Sequence, residues 1–406
     1  MIYIYRIIYF ILKHILLLTQ PMHSPSLKKW LQLRKTQTHF NPHKPVIWFH
    51  ASSGEVEYVK SLIRWFKSHH PEYQMALSYS SPSMEKLIHN IQSELDWIFP
   101  IPWDSPTEIK SIFDHLKPAA VIFSRTDFWY ELVWQAEQKN VPLFGVSLFP
   151  SRNFIQKIWF QKILSSFQLL TAVTQESAEY LRTLVDCPVY YLPDTRFDQV
   201  FYRLNQTPLF KIRLSRRCLT VGSCWPEDEA VLIPALTYFK SLNIQFILCP
   251  HDIQTTRIEN IQKQIQALQS SNLSVQIYSD IQHQSECTSD ILIVDKVGIL
   301  ADIYQQSTWA FVGGSFKKRV HSVMEPLCAG NLVFVGPYHQ NNPEALQYLN
   351  QQVFQVHSTE DFIKKFNAYK DRNQDDRQKT IQLLSQNKGS TEKTGTLIQS
   401  VIKDSK

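Results

Sequence analysis

From residue 46 onward, short runs rich in β-branched and aromatic residues alternate with stretches of helical periodicity, and the series starts over once. Strand-like runs of the first series fall at 46–51, 74–79, 119–124, 142–147, 169–174 and 188–193. Amphipathic stretches separate them, among them Ser105-Pro106-Thr107-Glu108, a capping box predicted to open a helix through Lys117. Residues 199–216 break the pattern. A second series then runs through "CLTVGS" (218–223), "IQFILCP" (244–250), "SVQIYS", "DILIVD" (290–295), "TWAFVGG" (308–314), "LVFVGP" (332–337) and "VFQVHS". Continuous apolar runs mark strands buried on both faces, so this alternation specifies parallel sheets with helices on both sides. The expected fold is α/β: two doubly wound, Rossmann-like domains facing one another across a cleft, residues 45–205 and 206–406. A polar helical tail from about Asp375 could cross back onto the first domain. At 406 residues the chain is long enough for two such cores.

The first 44 residues stand apart. Residues 1–54 carry Arg6, Lys13, Lys28, Lys29, Arg34, Lys35 and Lys44 with no Asp or Glu, so the formal net charge of +6 leaves −1 for residues 55–406. Basic character confined to one end, beside the apolar run Ile2–Thr19, points to an anionic membrane surface rather than to nucleic acid. Arg6, Lys13 and Gln20 recur every seven residues and form one polar stripe on a helix, which suits a helix lying in the membrane interface. The competing readings are a bilayer span, for which the run is barely long enough, and a signal peptide or buried helix. The six cysteines show no metal-binding or paired spacing, as expected of reduced thiols on the cytoplasmic side.

Glycine is scarce, ten in the whole chain, so the position of each is informative. Gly54, Gly222, Gly313, Gly314 and Gly336 each follow a strand-like run, where open parallel sheets bind ligands. "FVGGSFKKRVHSVMEP" reads either as a phosphate cradle, with Gly313, Gly314 and Ser315 before a short helix from about His321, or as an ordinary tight turn. Glu325 would share a face with His321 and either meet ribose hydroxyls or serve as a cap or salt-bridge partner. Ser223 and His251 also end strands. Glu55 reads as a helix-dipole partner, typically about 0.3–1 kcal/mol, or as a general base beside a glycine that lets a substrate approach. No metal-ligand cluster or Ser-His-Asp order appears, which leaves hydrolytic and covalent mechanisms without support.

Several motifs in order resemble the 3-deoxy-D-manno-octulosonic acid (Kdo) transferases of lipid A biosynthesis. They are "ASSGEVE" (51–57), "RTDFWYELV" (125–133), "PDTRFDQV" (193–200), "VGSCWPEDE" (221–229), "CPHD" (249–252), "VDKVGILADIY" (294–304), "AFVGGSF" (310–316), "HSVMEP" (321–326) and "GPYHQNNPEA" (336–345). The resemblance implies a GT-B fold with an N-terminal membrane-associated helix, no cofactor, CMP-Kdo as donor and a lipid A precursor (lipid IVA) as acceptor. It further implies transfer with inversion at the cytoplasmic face of the inner membrane, in lipopolysaccharide core biosynthesis. Glu55 matches the family's catalytic base; Ser53, Gly54, Asp127 and Arg152 match acceptor-side positions. Ser223, His251, Gly313, Gly314, Ser315, His321, Ser322 and Glu325 match donor-side positions. Arg125 stands where the commoner pattern is acidic, and "KRVHS" stands where many members have Gly-Gly-His-Asn. The alternatives are a nucleotide-sugar isomerase on the same fold and a non-catalytic membrane scaffold.

Overall fold

Strand β1 (Val46–His50) shows why the first half folds as it does. Its five residues are all buried, with Val46 and Trp48 in one apolar layer and Ile47 and Phe49 in the other. A strand covered on both faces must lie inside a sheet, and β1 does. The sheet order is β3-β2-β1-β4-β5-β6-β7, all parallel, with β2 Gln74–Tyr79, β3 Trp97–Pro100, β4 Pro118–Ser124, β5 Leu143–Leu148, β6 Leu169–Ala172 and β7 Val189–Tyr191. The second sheet runs β11-β13-β10-β9-β14-β15-β16, also parallel. Its strands are β9 Cys218–Cys224, β10 Gln245–Pro250, β11 Val275–Ile277, β13 Ile291–Ile293, β14 Trp309–Val312, β15 Leu332–Val335 and β16 Val353–Gln355, while β8 Arg213–Leu214 and β12 Glu286–Cys287 pair as a separate ladder. Both sheets are doubly wound, as the alternating pattern requires. The computed structural model describes every residue except 1, 37, 85–87, 89–90, 151–153, 269–271 and 405–406.

The chain divides into two units, Met1–Gln199 with Asn387–Lys406, and Val200–Gln386. The division falls at Gln199/Val200 rather than at 205, and the last twenty residues return to the first unit, in keeping with a tail that crosses back. Local packing explains the return. Ile398 and Ile402 of the helix Ser390–Asp404 enter the apolar layer beside Phe66 of helix α3 (Lys60–His69). The Trp65 ring lies so close to Gly395 that any Cβ there would come within 2.3 Å of it. At the start of the same helix, the Gly389 and Thr391 amides each donate to the Asp198 carboxylate at 2.8 Å. Each fully buried Ile or Phe side chain contributes roughly 1.5–3 kcal/mol. Two further expectations need amendment: strand β3 went unread, and Ser105 donates to Glu108 at 2.5 Å instead of accepting a backbone amide, so the predicted box is not closed.

Helix α1 (Ile2–Leu18) is polar toward the protein and apolar away from it. Arg6 donates twice to the fully buried Glu131 carboxylate, at 2.8 and 2.9 Å, and stacks on Trp134, while Lys13 pairs with Glu108 at 3.3 Å. Tyr5 donates to Asp104 at 2.5 Å, and the Asp104 amide donates to Tyr9 at 2.9 Å. Arg6 and Lys13 of the expected polar stripe thus meet the protein body. Ile4, Ile7, Ile8, Phe10, Ile11, Leu12, Ile15 and Leu18 are exposed. Among the described residues no helix is long and apolar enough to cross a membrane. Helix α2 (Pro25–Leu33), capped by Ser24, follows, and Arg34 just beyond it is buried between Trp30 and Trp129 while donating to the Ile101 and Pro102 carbonyls. All six cysteines are free thiols.

Candidate active site

In each sheet the strand order reverses between two central strands, β1/β4 in the first and β9/β14 in the second, and ligands of such sheets bind beyond the strand ends at that point. The candidate residues gather at these two places, one in each unit.

In the first unit β1 ends at His50 and β4 at Ser124. Between β1 and α3 the chain makes one 3-10 turn, Gly54–Tyr58. Glu55 is half-buried, and its Oε2 accepts from the Ser53 amide at 2.9 Å and the Ser53 hydroxyl at 2.8 Å. Ser124 Oγ donates to the Glu55 carbonyl at 2.6 Å, tying the turn to β4. The carboxylate is therefore held by its own loop, and among the described residues no cation pairs with it. Gly54 has neither a left-handed φ nor any atom within 4 Å of where a Cβ would lie. Nothing in the unit itself demands glycine there. Asp127, beyond β4, accepts from His50 Nε2 at 3.2 Å and Trp129 Nε1 at 3.3 Å. Burial alone would raise its carboxyl, but hydrogen bonds from His50, Ser52 and Trp129 hold it below the ordinary carboxylate value. Arg125, with a left-handed φ of 61°, donates to the buried Asp194 at 2.8 Å and lies 3.9 Å from the Tyr58 ring centre. Its place in the motif is thus a buried ion pair. Ser53, Gly54, Glu55 and Asp127 fall together; Arg152 lies outside the described residues.

In the second unit the paired glycines do not form an open cradle. A Cβ on Gly313 would come within 2.4 Å of the Ser223 carbonyl, and one on Gly314, whose φ is +80°, within 2.5 Å of the Arg319 carbonyl. The Gly313 amide donates to the Gly222 carbonyl at 2.9 Å. Asp228 takes the others: its Oδ2 accepts from Gly314 at 2.7 Å and from Trp225 at 2.9 Å, its Oδ1 from Phe316 at 3.0 Å. An internal carboxylate sits where a phosphate was expected, and burial lifts its pKa against the pull of those three amides. Ser315 is fully buried, donating to the Val312 carbonyl and accepting from the Gly336 amide. The Gly313 and Gly314 amides and the Ser315 hydroxyl thus all have partners inside the unit. The helix expected from His321 starts at Met324, because residues 313–319 are held as turns by the Gly314 carbonyl and Asp228; His321 and Glu325 do not share a helical face. Ser322 accepts from the Met324 amide at 3.3 Å, and Glu325 lies in the first turn of that short helix.

A stacked set of rings stands beside this turn. Trp225 and His251 stack at 4.4 Å, and His251 and His321 at 4.9 Å. Trp225 Nε1 donates to His321 Nε2 at 3.2 Å, which leaves the His321 proton on Nδ1. Burial, then His251 and Arg319, lower His321 to about 4, so the ring is neutral. Lys317 Nζ lies 3.5 Å from the Trp225 ring centre. Ser223, at a strained φ of 54°, is the penultimate residue of β9, two positions before Trp225. Ser223, His251 and His321 thus fall together, with an aromatic, cationic surface suited to a flat heterocycle and an anion. Trp225 was quoted in its motif without a role; an indole directly after a strand end, before a Pro-started helix, was the available signal.

Two parallel doubly wound sheets, each with candidate residues at its switch point, define the GT-B class of glycosyltransferase folds. The solved UDP-GlcNAc 2-epimerase of Neisseria meningitidis shares that fold, with a TM-score of 0.63 at 14% identity over 89% of this chain and 100% of that one. Residues 28–199 match the protein-family model described as 3-deoxy-D-manno-octulosonic-acid transferase. The 3-deoxy-D-manno-octulosonic acid transferase of Chlamydia muridarum is 25% identical over 72% of this chain and 70% of its own length, and that of Aquifex aeolicus 24% over 76% and 81%. The chain is thus similar to Kdo transferases over most of its length, the family that its motifs resemble.

Proposed function

We propose that this chain is an inverting transferase that moves Kdo from CMP-Kdo to a lipid A precursor. Glu55 takes the proton of the attacking acceptor hydroxyl as that oxygen bonds to the anomeric carbon and CMP departs from the opposite face with the bonding electron pair. The observation that carries this reading is the open turn. Gly54 leaves room for a second molecule at the backbone, while Ser53 presents the adjacent carboxylate through two hydrogen bonds. A positioned base of this kind contributes typically about 10²–10⁴-fold to rate. The ring set of Trp225, His251 and His321 with Lys317 supports a role in holding the nucleotide and the anionic sugar.

The acceptor's lipid character is supported by the N-terminus. The outward apolar face of α1 and the exposed Lys28 and Lys29 of α2 suit an anionic membrane surface, on which this reading seats the protein at the cytoplasmic face of the inner membrane. A groove of about 660 Å³ lined by Leu16, Leu27, Lys29, Trp30 and Pro82 opens beside α1. Its wall residue Ser81 donates its amide to the Ser52 carbonyl at 3.0 Å, next to the Glu55 turn.

Mass spectrometry of the lipid after incubation of the purified protein with CMP-Kdo and lipid IVA tests the proposal. A lipid product heavier by a Kdo residue, formed together with free CMP, is the expected result. Isomerisation of a nucleotide sugar without acceptor would favour the isomerase; absence of turnover together with no stabilisation by CMP would favour a scaffold.

A further inference from the structure

His50 is an imidazole in a strand whose other residues are Val46, Ile47, Trp48 and Phe49, and it is fully buried. Both of its nitrogens are engaged: Nδ1 lies 2.8 Å from Ser78 Oγ, and Nε2 lies 3.2 Å from Asp127 Oδ2. Ser78, on the neighbouring β2, is fully buried too, and its hydroxyl oxygen also accepts from Trp48 Nε1 at 2.8 Å. The direction of every bond in this chain follows. The Asp127 carboxylate only accepts, so Nε2 carries the proton; in the neutral ring Nδ1 then accepts the Ser78 hydroxyl proton, while the Ser78 oxygen accepts from the Trp48 indole. Nδ1 is then the bare nitrogen, and the proton on Nε2 points at Asp127. Trp48, Ser78, His50 and Asp127 form a one-way relay of donors that begins in the core and ends on a carboxylate about a third exposed, at 34%. The order is opposite to that of a nucleophilic triad, in which serine would meet Nε2, and the buried Ser78 cannot attack anything.

A polar relay inside an apolar layer is expensive unless it does something at its open end. Its open end is Asp127, which is also bonded by Ser52 and Trp129, and Ser52 directly precedes the Ser53 that holds Glu55. The rings of Phe123 and Trp129 lie edge-on to the fully buried His50.

We infer that His50, with Trp48 and Ser78 behind it, is a positioning residue that fixes the Asp127 carboxylate as a ready-made acceptor for a hydroxyl of the acceptor sugar. The inference rests on the transferase reading above and adds to it a function for the relay that no motif assigned. No bond changes in this role: the relay orients a charged acceptor before substrate arrives, so binding does not have to order it.

The test compares His50→Leu, which ends the relay, with His50→Gln, whose amide reaches the Nε2 position and can still donate. Michaelis constants for lipid IVA and for CMP-Kdo are measured separately. His50→Leu and Asp127→Asn are each expected to raise the acceptor constant about tenfold or more with the donor constant unchanged. His50→Gln recovers most of that loss, and the His50→Leu/Asp127→Asn double variant is no worse than the worse single one. Equal effects on donor and acceptor constants, additive losses, or an unchanged acceptor constant in folded His50→Leu would overturn the inference. Should His50→Leu fail to fold, Ser78→Ala provides the milder break, with the same selective rise in the acceptor constant expected. The ¹⁵N chemical shifts of the His50 ring give a readout independent of turnover: the Nε2–H form is required, and the Nδ1–H form or a mixture contradicts the relay. Wild-type transfer tests the underlying reading by itself, so the two failures remain distinguishable.

Discussion

Two glycine-bearing turns follow central strands in this molecule, and they have opposite physical meanings. After β1, Gly54 has empty space where a Cβ would be, and among the described residues the carboxylate beside it is bound by its own turn alone. After β14, Gly313 and Gly314 are packed so tightly that backbone carbonyls lie 2.4 and 2.5 Å from their missing Cβ atoms, and Asp228 already fills the ring of amides. A glycine at a strand end is thus not by itself a binding signal. The first turn leaves open space beside its glycine; the second needs its glycines to close on itself.

Perturbations of the two turns should therefore separate stability from activity. The largest change in folding free energy is expected from Asp228→Ala, which orphans the amides of Trp225, Gly314 and Phe316 and should cost about 3–5 kcal/mol in chemical denaturation of the second unit. Asp228→Asn, retaining one acceptor oxygen, should recover part of it. Next comes His321, whose value of about 4 lies below the ordinary 6.5. The unfolded chain binds this proton first, so stability is fully present above pH 6.5 and is lost as pH falls toward 4, by roughly 2–3 kcal/mol. Denaturation midpoints measured across that window should flatten in His321→Gln. Gly313→Ala follows at about 2 kcal/mol, because backbone and not a flexible side chain must give way. Gly54→Ala is the smallest and of opposite sign: thermal melting should be unchanged or raised by up to about 1 kcal/mol equivalent, while the acceptor Michaelis constant increases. A destabilised Gly54→Ala or an unaffected Gly313→Ala would break the contrast.

The same contrast shows what the sequence could and could not disclose. Both sheets were legible because each central strand is an uninterrupted apolar run, and burial on both faces leaves no other reading for Val46–His50 or Trp309–Val312. Strand β3 escaped because it is a four-residue edge strand ending at Pro100, too short to carry a pattern. The turn that holds the Glu55 carboxylate was within reach of local reading, since Ser53, Gly54 and Glu55 lie within three consecutive positions. The state of the Gly313–Gly314 turn was not, because its occupant, Asp228, is 86 residues away from Gly314 in sequence. Likewise the stripe of Arg6 and Lys13 was visible as a stripe, but its partners Glu131 and Glu108 are 125 and 95 residues distant. Periodicity reveals that a face is polar; only the fold reveals what the face meets.

Glu55→Gln, which keeps the size of the side chain and its acceptor oxygen toward Ser53 but cannot take a proton, probes the central claim most directly. Acceptor-dependent CMP release at saturating CMP-Kdo and lipid IVA should fall by about 10²–10⁴-fold, with thermal stabilisation by CMP left intact. Turnover within a factor of two or so of wild type would mean that some other group removes the proton, and the account of the open turn would be wrong.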